Sequence, residues 1–442
     1  MTRKPRMRQR AGIAALSIAA VAAMLAGCAT GTSSGKTELT FWFWADDAPD
    51  AGKWLDQVIE DYAEVAPDVT IKVVPQASDT ISTNFQAATA AGSGPDIATL
   101  WLSDYLTAVF DDKLTPLDDL VPSDEIAQWT DVSRYTYQGK VYGAPQYVFG
   151  FHLAYRKDLF EQAGIAVPES GRMTVEEFEA AADALLAEGI VPIVGGNKTG
   201  DLGAWLWSII GSQRLDSNQQ IIAASVGEAS FADPEFAEWY PLLQSWVDAG
   251  YFNDDVNNLD FSQGHDLFES GTGAMALGTD GHVARWVDVL GADAVGVMQP
   301  PKWGDAGHAQ NVRKAATGFM IPIWSEHPQE SADFLAFLHA AKNVQSWYEV
   351  TKTVPADSRF DTASIDDPVL ARMAEWDGQE GTWPQNWMPS QVDGSGNLPA
   401  GQLIFAGSGT PDDAIALWVS AAEAWQGQQP QQVVNWSGLL DK

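Results

Sequence analysis

Residues 38–74 read ELTFWFWADDAPDAGKWLDQVIEDYAEVAPDVTIKVV, and the order of patterns in this stretch decides the fold class. Leu39 to Trp44 is short, apolar and aromatic, the composition of a strand. Leu55, Ile59 and Tyr62, supported by Trp54 and Val58, recur at the spacing of one helical face. Val69 to Val74 is a second strand. Strand, helix and strand in that order predict an α/β fold with parallel pairing across a helical crossover. The alternation continues outward. Ser82–Ala91 predicts a small-residue helix, Gly92-Ser93-Gly94-Pro95 a turn, and Asp96–Leu100 a third strand. Thr174-Val175-Glu176-Glu177 is a capping box that opens a helix with Phe178, Ala181 and Leu185 inward, and Asp233-Pro234 starts another through Phe236, Tyr240, Leu243 and Trp246. Strands are expected at Gly273–Leu277, Ala294–Met298 and Gly318–Ile323, a helix at Gln329–Ala340, and a last helix from the Thr410 cap through Trp425.

The chain begins with Arg3, Lys4, Arg6, Arg8 and Arg10 and no acid among its first ten residues, followed by an apolar run from Ala11 to Gly27. This is the basic and apolar pattern of an export signal, residues 1–27. The run is shorter than the ~20 residues a membrane-spanning helix needs. Leu25-Ala26-Gly27-Cys28 closes it and looks like a bacterial lipobox, in which Cys28 is acylated after cleavage. Cys28 is the only cysteine in 442 residues, which excludes a disulfide scaffold and a cysteine-only zinc site. Residues 28–37 are small and polar and read as a flexible tether.

With 25 Lys+Arg against 59 Asp+Glu the formal net charge is −34. A basic footprint for nucleic acid is missing, and the field disfavours anionic ligands at long range. Length and a hydrophobic content of 45% fit two large α/β domains or about three smaller ones. Two short motifs fail on context. Gly31-Thr32-Ser33-Ser34-Gly35 matches a nucleophile elbow but lies in the tether, and Gly271-Thr272-Gly273-Ala274-Met275-Ala276 matches a dinucleotide fingerprint but ends a helix and opens a strand, the reverse of what that fold needs. The six histidines include no close pair, so no metal site and no cofactor are expected.

What remains is tryptophan, nineteen of them. Trp54, Trp239, Trp246, Trp418 and Trp425 follow helical periodicity and are expected in the core. Trp44, Trp101, Trp205, Trp207, Trp383 and Trp387 instead stand at strand ends or among Gly, Pro and Asn, and ligands of open α/β sheets bind beyond strand ends. An indole beside carboxylates and amides suits a sugar, whose C–H face stacks on the ring while its hydroxyls exchange hydrogen bonds with polar groups.

The lipobox, Glu38–Trp44, the helix through Trp54, and Gly92-Ser93-Gly94-Pro95-Asp96-Ile97 together resemble the extracellular solute-binding proteins of bacterial ABC importers, in the sugar-binding group that includes maltose-binding protein. The likeness continues through Gly139–Pro145, Tyr155–Phe160, Phe268–Met275 and Ser331–Leu338. It implies a two-lobe periplasmic-binding-protein fold (type II), with hinge-linked lobes closing on a ligand cleft. The crossings would lie near Tyr147–Gly150, Met298–Lys302 and Lys352–Ala356, making residues 38–147 with 300–352 one lobe and 148–299 with 353–442 the other. Matching positions imply a site of Trp44, Asp46 and Asp47 after the first strand, Trp101, Ser103 and Asp104 after the third, and Gln146, Tyr147 and Phe149 at the first crossing. The second lobe would add Trp205, Gly278, Asp280, His282, Trp383 and Trp387, with Asp79 and Thr317 as further candidates. Residues 278–282 depart from the glycine pair and tryptophan of many members, which leaves the sugar open.

The resemblance implies a monomeric, extracytoplasmic binder anchored by lipid on Cys28. Its partners would be a mono- or oligosaccharide and the transmembrane subunits of an ABC permease, with no catalysis. Two other readings stay open on the residues alone: an exported glycoside hydrolase, which would need a pair of carboxyls flanking one bond, and a same-fold binder of a polyamine, whose ammonium groups also favour acids and aromatic faces.

Overall fold

The computed structural model describes residues 36–45, 48, 50–77, 80–379 and 381–440. The export signal, Cys28, most of the tether, and Asp46, Asp47 and Asp79 lie outside the described residues. The strand Thr37–Phe43 buries Leu39, Phe41 and Phe43 by simple alternation. The helix Ala51–Val65 turns Trp54, Leu55, Val58 and Tyr62 inward and stops before Pro67, and Val69–Pro75 returns parallel to the first strand. Ile97–Thr99 adds a third parallel strand on the other side.

The sheet then departs from the parallel expectation. Its order is Val69–Pro75, Thr37–Phe43, Ile97–Thr99, Val312–Met320, Gly143–Arg156, Gly273–Thr279, Val191–Val194. Val312–Met320 runs antiparallel to both Ile97–Thr99 and Gly143–Arg156, because the chain re-enters this part of the sheet from the far side.

Gly143–Arg156 is the backbone of the molecule, a strand of 14 residues buried from Gly143 to Ala154. Residues 143–145 and 147–150 pair with Val312–Met320, and Phe151–Tyr155 pair with Gly273–Thr279. On the other edges Val354–Pro355 pairs with Tyr147 and Val148, and Val295–Met298 with Leu153 to Arg156. The register slips between Thr317 and Gly318, opposite Pro145, which has no N–H for the ladder. Residues 299–310 still pack on residues 171–215: Gln299 N–H donates to Gly171 O, Lys302 N–H to Met173 O and His308 N–H to Leu215 O. The return to the first part of the sheet is therefore made within Val312–Met320.

The Thr174 capping box forms, with Glu177 N–H donating to Thr174 Oγ1 and Thr174 N–H to Glu177 Oε2. Trp54, Trp239, Trp246, Trp418 and Trp425 are all buried, as helical spacing requires. The helix capped by Thr410 runs to Gln428, and a further one, Pro430–Ser437, follows it. This final helix lays Trp436 against Phe110 and Gln432 on Asp111.

Candidate functional site

Two aromatic groups lie in parts of the chain that meet along one seam, the first at strand ends and the second on the long strand. The first strand ends at Phe43 and the third at Thr99, so Trp44 and Trp101 leave adjacent parallel strands at the same edge. Their rings lie 4.2 Å apart. The second group gathers on the long strand. Tyr147, Phe149 and Phe151 alternate onto one face, and Trp383 lies flat on Phe151, with centroids 3.6 Å apart and planes within 9°. Trp205 meets both edge-on, at 4.9 Å from Phe151 and 6.1 Å from Trp383. Trp207 shares the helix Asp201–Ile209 with Trp205, but two residues' rotation turns it away onto Trp418.

Hydroxyls and one carboxylate join the sides. Asp104, in the first turn of Leu102–Phe110, accepts from Ser82 Oγ and, at 2.8 Å, from Ser390 Oγ. Ser103 Oγ is 3.0 Å from Ser390 Oγ. Leu102–Phe110 also packs on the turn Pro384–Trp387, so the seam brings Trp101 and Trp387 to its two banks. Burial pushes the Asp104 carboxyl above its ordinary range, against the two serine hydrogen bonds. The turn that carries Trp387 is braced from behind: Asp393 accepts from Gln385 and Asn397, and burial lifts its carboxyl to about 6 despite both.

Among the described residues, Trp44 Nε1, Trp387 Nε1 and Gln146 Oε1 are buried without a hydrogen-bond partner. Core indoles such as Trp239 and Trp418 share that condition, so it is the position at the seam that distinguishes the first two. Trp44 and Trp383 are each 3% exposed. A cavity of about 250 Å³ does exist, but Arg214, Glu235 and Asp305 line it and no expected site residue does.

Other expected residues have other partners. Tyr147 stacks on Trp347 at 5.0 Å and lies opposite Thr317 in the ladder, both buried. Phe149 fills the space between Tyr147 and Phe151. Gly278 makes room for Trp286, since a Cβ there would stand 2.8 Å from that ring. His282 caps its own helix, its Nδ1 accepting from Thr279 N–H, and burial drives its imidazole well below the usual value. Asp280 turns to His152 on the opposite face of the long strand from Phe151, with Oδ1 2.9 Å from Nε2. In this structure Gly278, Asp280 and His282 thus have a packing, an ion-pairing and a capping partner respectively. Sequence reading missed Phe151, which the alternation from Tyr147 and Phe149 signals, and Ser82 and Ser390, for which the sequence holds no signal.

With this geometry in hand, comparison adds kinship. The profile of the bacterial extracellular solute-binding protein family matches residues 45–345. An arabinooligosaccharide-binding protein of Halalkalibacterium halodurans is 24% identical over 323 residues, 69% of this chain and 67% of that one. A chitin oligosaccharide binding protein superposes with a TM-score of 0.77 at 21% identity, covering 88% of this chain and 98% of its own. A structure from work on xylan utilization by Caldanaerobius polysaccharolyticus gives 0.74 at 22%, covering 87% and 99%. The two-lobe fold of the periplasmic sugar-binding proteins is shared throughout.

Proposed function

Since the chain belongs to the bacterial extracellular solute-binding proteins, we propose that it captures an oligosaccharide outside the cytoplasm and passes it, chemically unchanged, to the permease of an ABC importer. The observation that carries this reading is the pair of aromatic groups, Trp44 with Trp101 and Trp383 with Phe151 and Trp205, in parts of the chain joined by the hydroxyl and carboxylate hydrogen bonds of Ser103, Asp104 and Ser390. Stacking rings beside such polar groups are what a glycan requires, and relatives named for arabino- and chitin oligosaccharides support it. With Trp44 and Trp383 almost fully covered, a sugar reaches them only after the seam parts. Opening and closing about a hinge, biased by ligand contacts, follows. The hinge segments we assign are the middle of Gly143–Arg156, Val312–Met320 and Val354–Pro355, which leaves residues 299–311 with the second lobe. Acylation of Cys28 would hold the protein, as a monomer, at the membrane.

The test is a thermal-unfolding screen. A ligand confined to the native state raises the melting temperature, so arabino-, xylo-, chito- or malto-oligosaccharides are expected to include one that does. A shift with spermidine and none with any glycan overturns the reading, and steady release of reducing ends would make the protein a hydrolase.

Ser390→Ala tests the seam. A hydrogen bond to a carboxylate contributes about 1.5–3 kcal/mol, and this one exists only when the two banks meet. Saccharide affinity is expected to fall about tenfold or more. Equal affinity in calorimetric titration would remove the latch.

A further inference from the structure

On the face of the long strand turned away from Phe151, three ligand-type side chains from distant parts of the chain converge. His152 comes from the strand itself, Asp280 from the first turn of the helix Asp280–Leu290, and Asp377 from the end of the helix Pro368–Asp377. They are 3%, 2% and 5% exposed. His152 Nε2 is 2.9 Å from Asp280 Oδ1 and 3.7 Å from Asp377 Oδ1, and the three ligand atoms lie within 4.8 Å of one another.

A plain histidine–aspartate ion pair does not account for the arrangement. One Nε2–H donates to one acceptor, and Asp280 takes it. Among the described residues, both oxygens of Asp377 are then buried with no hydrogen-bond partner, the Oδ1 keeping only the 3.7 Å ionic contact to His152. The nearby Lys314 does not serve them: its Nζ donates to the backbone oxygen of Asp377, at 2.9 Å, and stands 3.5 Å from Asp131. Buried carboxylates are paired or bind metal. Gly150 is part of the design as well, because a Cβ there would fall 2.2 Å from Asp377 Oδ1 and 2.3 Å from His152 Nε2.

We propose that His152, Asp280 and Asp377 bind one divalent transition-metal cation, zinc in preference to the harder ions. Ligands about 2.0–2.1 Å from a tetrahedral zinc are separated by about 3.3 Å, and the two histidine–carboxylate separations of 2.9 and 3.7 Å bracket that spacing, with the carboxylate pair within 4.8 Å. One imidazole with two carboxylates is an N/O set suited to zinc, and a neutral imidazole with two carboxylates balances a 2+ charge. The expectation of no metal rested on the spacing of histidines along the chain. This set uses one histidine and carboxylates 128 and 225 positions away in the numbering, so no local motif announces it. The metal would fasten the long strand to the helix whose end leads to Trp383.

The test needs no saccharide and is independent of the ligand reading. Full-length protein purified without chelator is expected to carry one zinc per chain by mass spectrometry. EDTA should lower its melting temperature and ZnCl2 restore it, while Asp377→Asn and His152→Gln should no longer retain the metal. Manganese in place of zinc keeps the site and changes its occupant. Metal-free wild-type protein with no thermal response to ZnCl2 or MnCl2 overturns the proposal, as does undiminished zinc in Asp377→Asn. Should both variants fail to fold, wild-type metal content and its chelator response decide.

Discussion

Trp383→Ala is expected to weaken oligosaccharide binding by about 1–3 kcal/mol, the range found when an aromatic stacking platform is removed, which is a factor of roughly 5 to 150 in Kd. Trp383 is held flat by Phe151 at 3.6 Å and edge-on by Trp205, so its orientation is fixed before any sugar arrives and little ordering remains to oppose binding. The ring is also 3% exposed, and truncating a buried tryptophan costs about 3–5 kcal/mol of stability. The two effects separate in calorimetric titrations run well below the variant's melting temperature. Trp383→Phe is expected to recover part of the affinity. Full affinity in Trp383→Ala would mean that the sugar binds elsewhere, although the fold would stand.

A stability effect of comparable size is expected at Asp357, just beyond Val354–Pro355. Its side chain is fully buried, His339 Nδ1 lies 3.0 Å from Oδ2, and Arg359 Nε donates to Oδ1 at 2.8 Å. Arg359 continues to Glu125 at 2.6 and 3.0 Å. Burial pushes the Asp357 carboxyl up, but Arg359 and then His339 overcome it and hold the group down at about 2. Removing one partner of a buried ion pair costs about 3–5 kcal/mol, so Asp357→Ala should unfold at a clearly lower denaturant concentration at neutral pH. A folded value below the unfolded value of ~3.9 means that this stability is fully present above that unfolded value and is lost as pH falls through about 2. Wild type and variant should therefore converge in strong acid, and a difference constant with pH would contradict the assignment.

How much of this was legible depended on how local the cause was. The opening strand–helix–strand unit, the Thr174 cap and the core tryptophans follow from periodicity and capping within a dozen residues, and they stand where the sequence puts them. The long strand is visible in the sequence only as a short crossing near Tyr147–Gly150 implied by the resemblance, because the pairing that extends it comes from strands more than a hundred residues away. Trp44, Trp101, Trp205 and Trp383 were singled out by their loop settings, and the structure pairs Trp44 with Trp101 and Trp205 with Trp383. Asp280 and His282 were assigned by alignment with a motif that this chain does not keep, and each found a nearer partner. Ser390 and Ser82 reach Asp104 across 286 and 22 positions, a meeting that no pattern along the chain encodes.

Along Gly143–Arg156 the backbone exchanges its neighbours. Tyr147 and Val148 are laced on both edges, by Val312–Met320 and Val354–Pro355, and Leu153 to Tyr155 on both edges by Gly273–Thr279 and Val295–Met298. From Phe149 to His152 only one edge is laced at each residue, as in a rope where two splices meet. Phe151 beneath Trp383, and His152 behind it, sit at this thinnest point. A molecule resting on that ring would therefore bear directly on the residues where the strand changes partners, with no intermediate residues between.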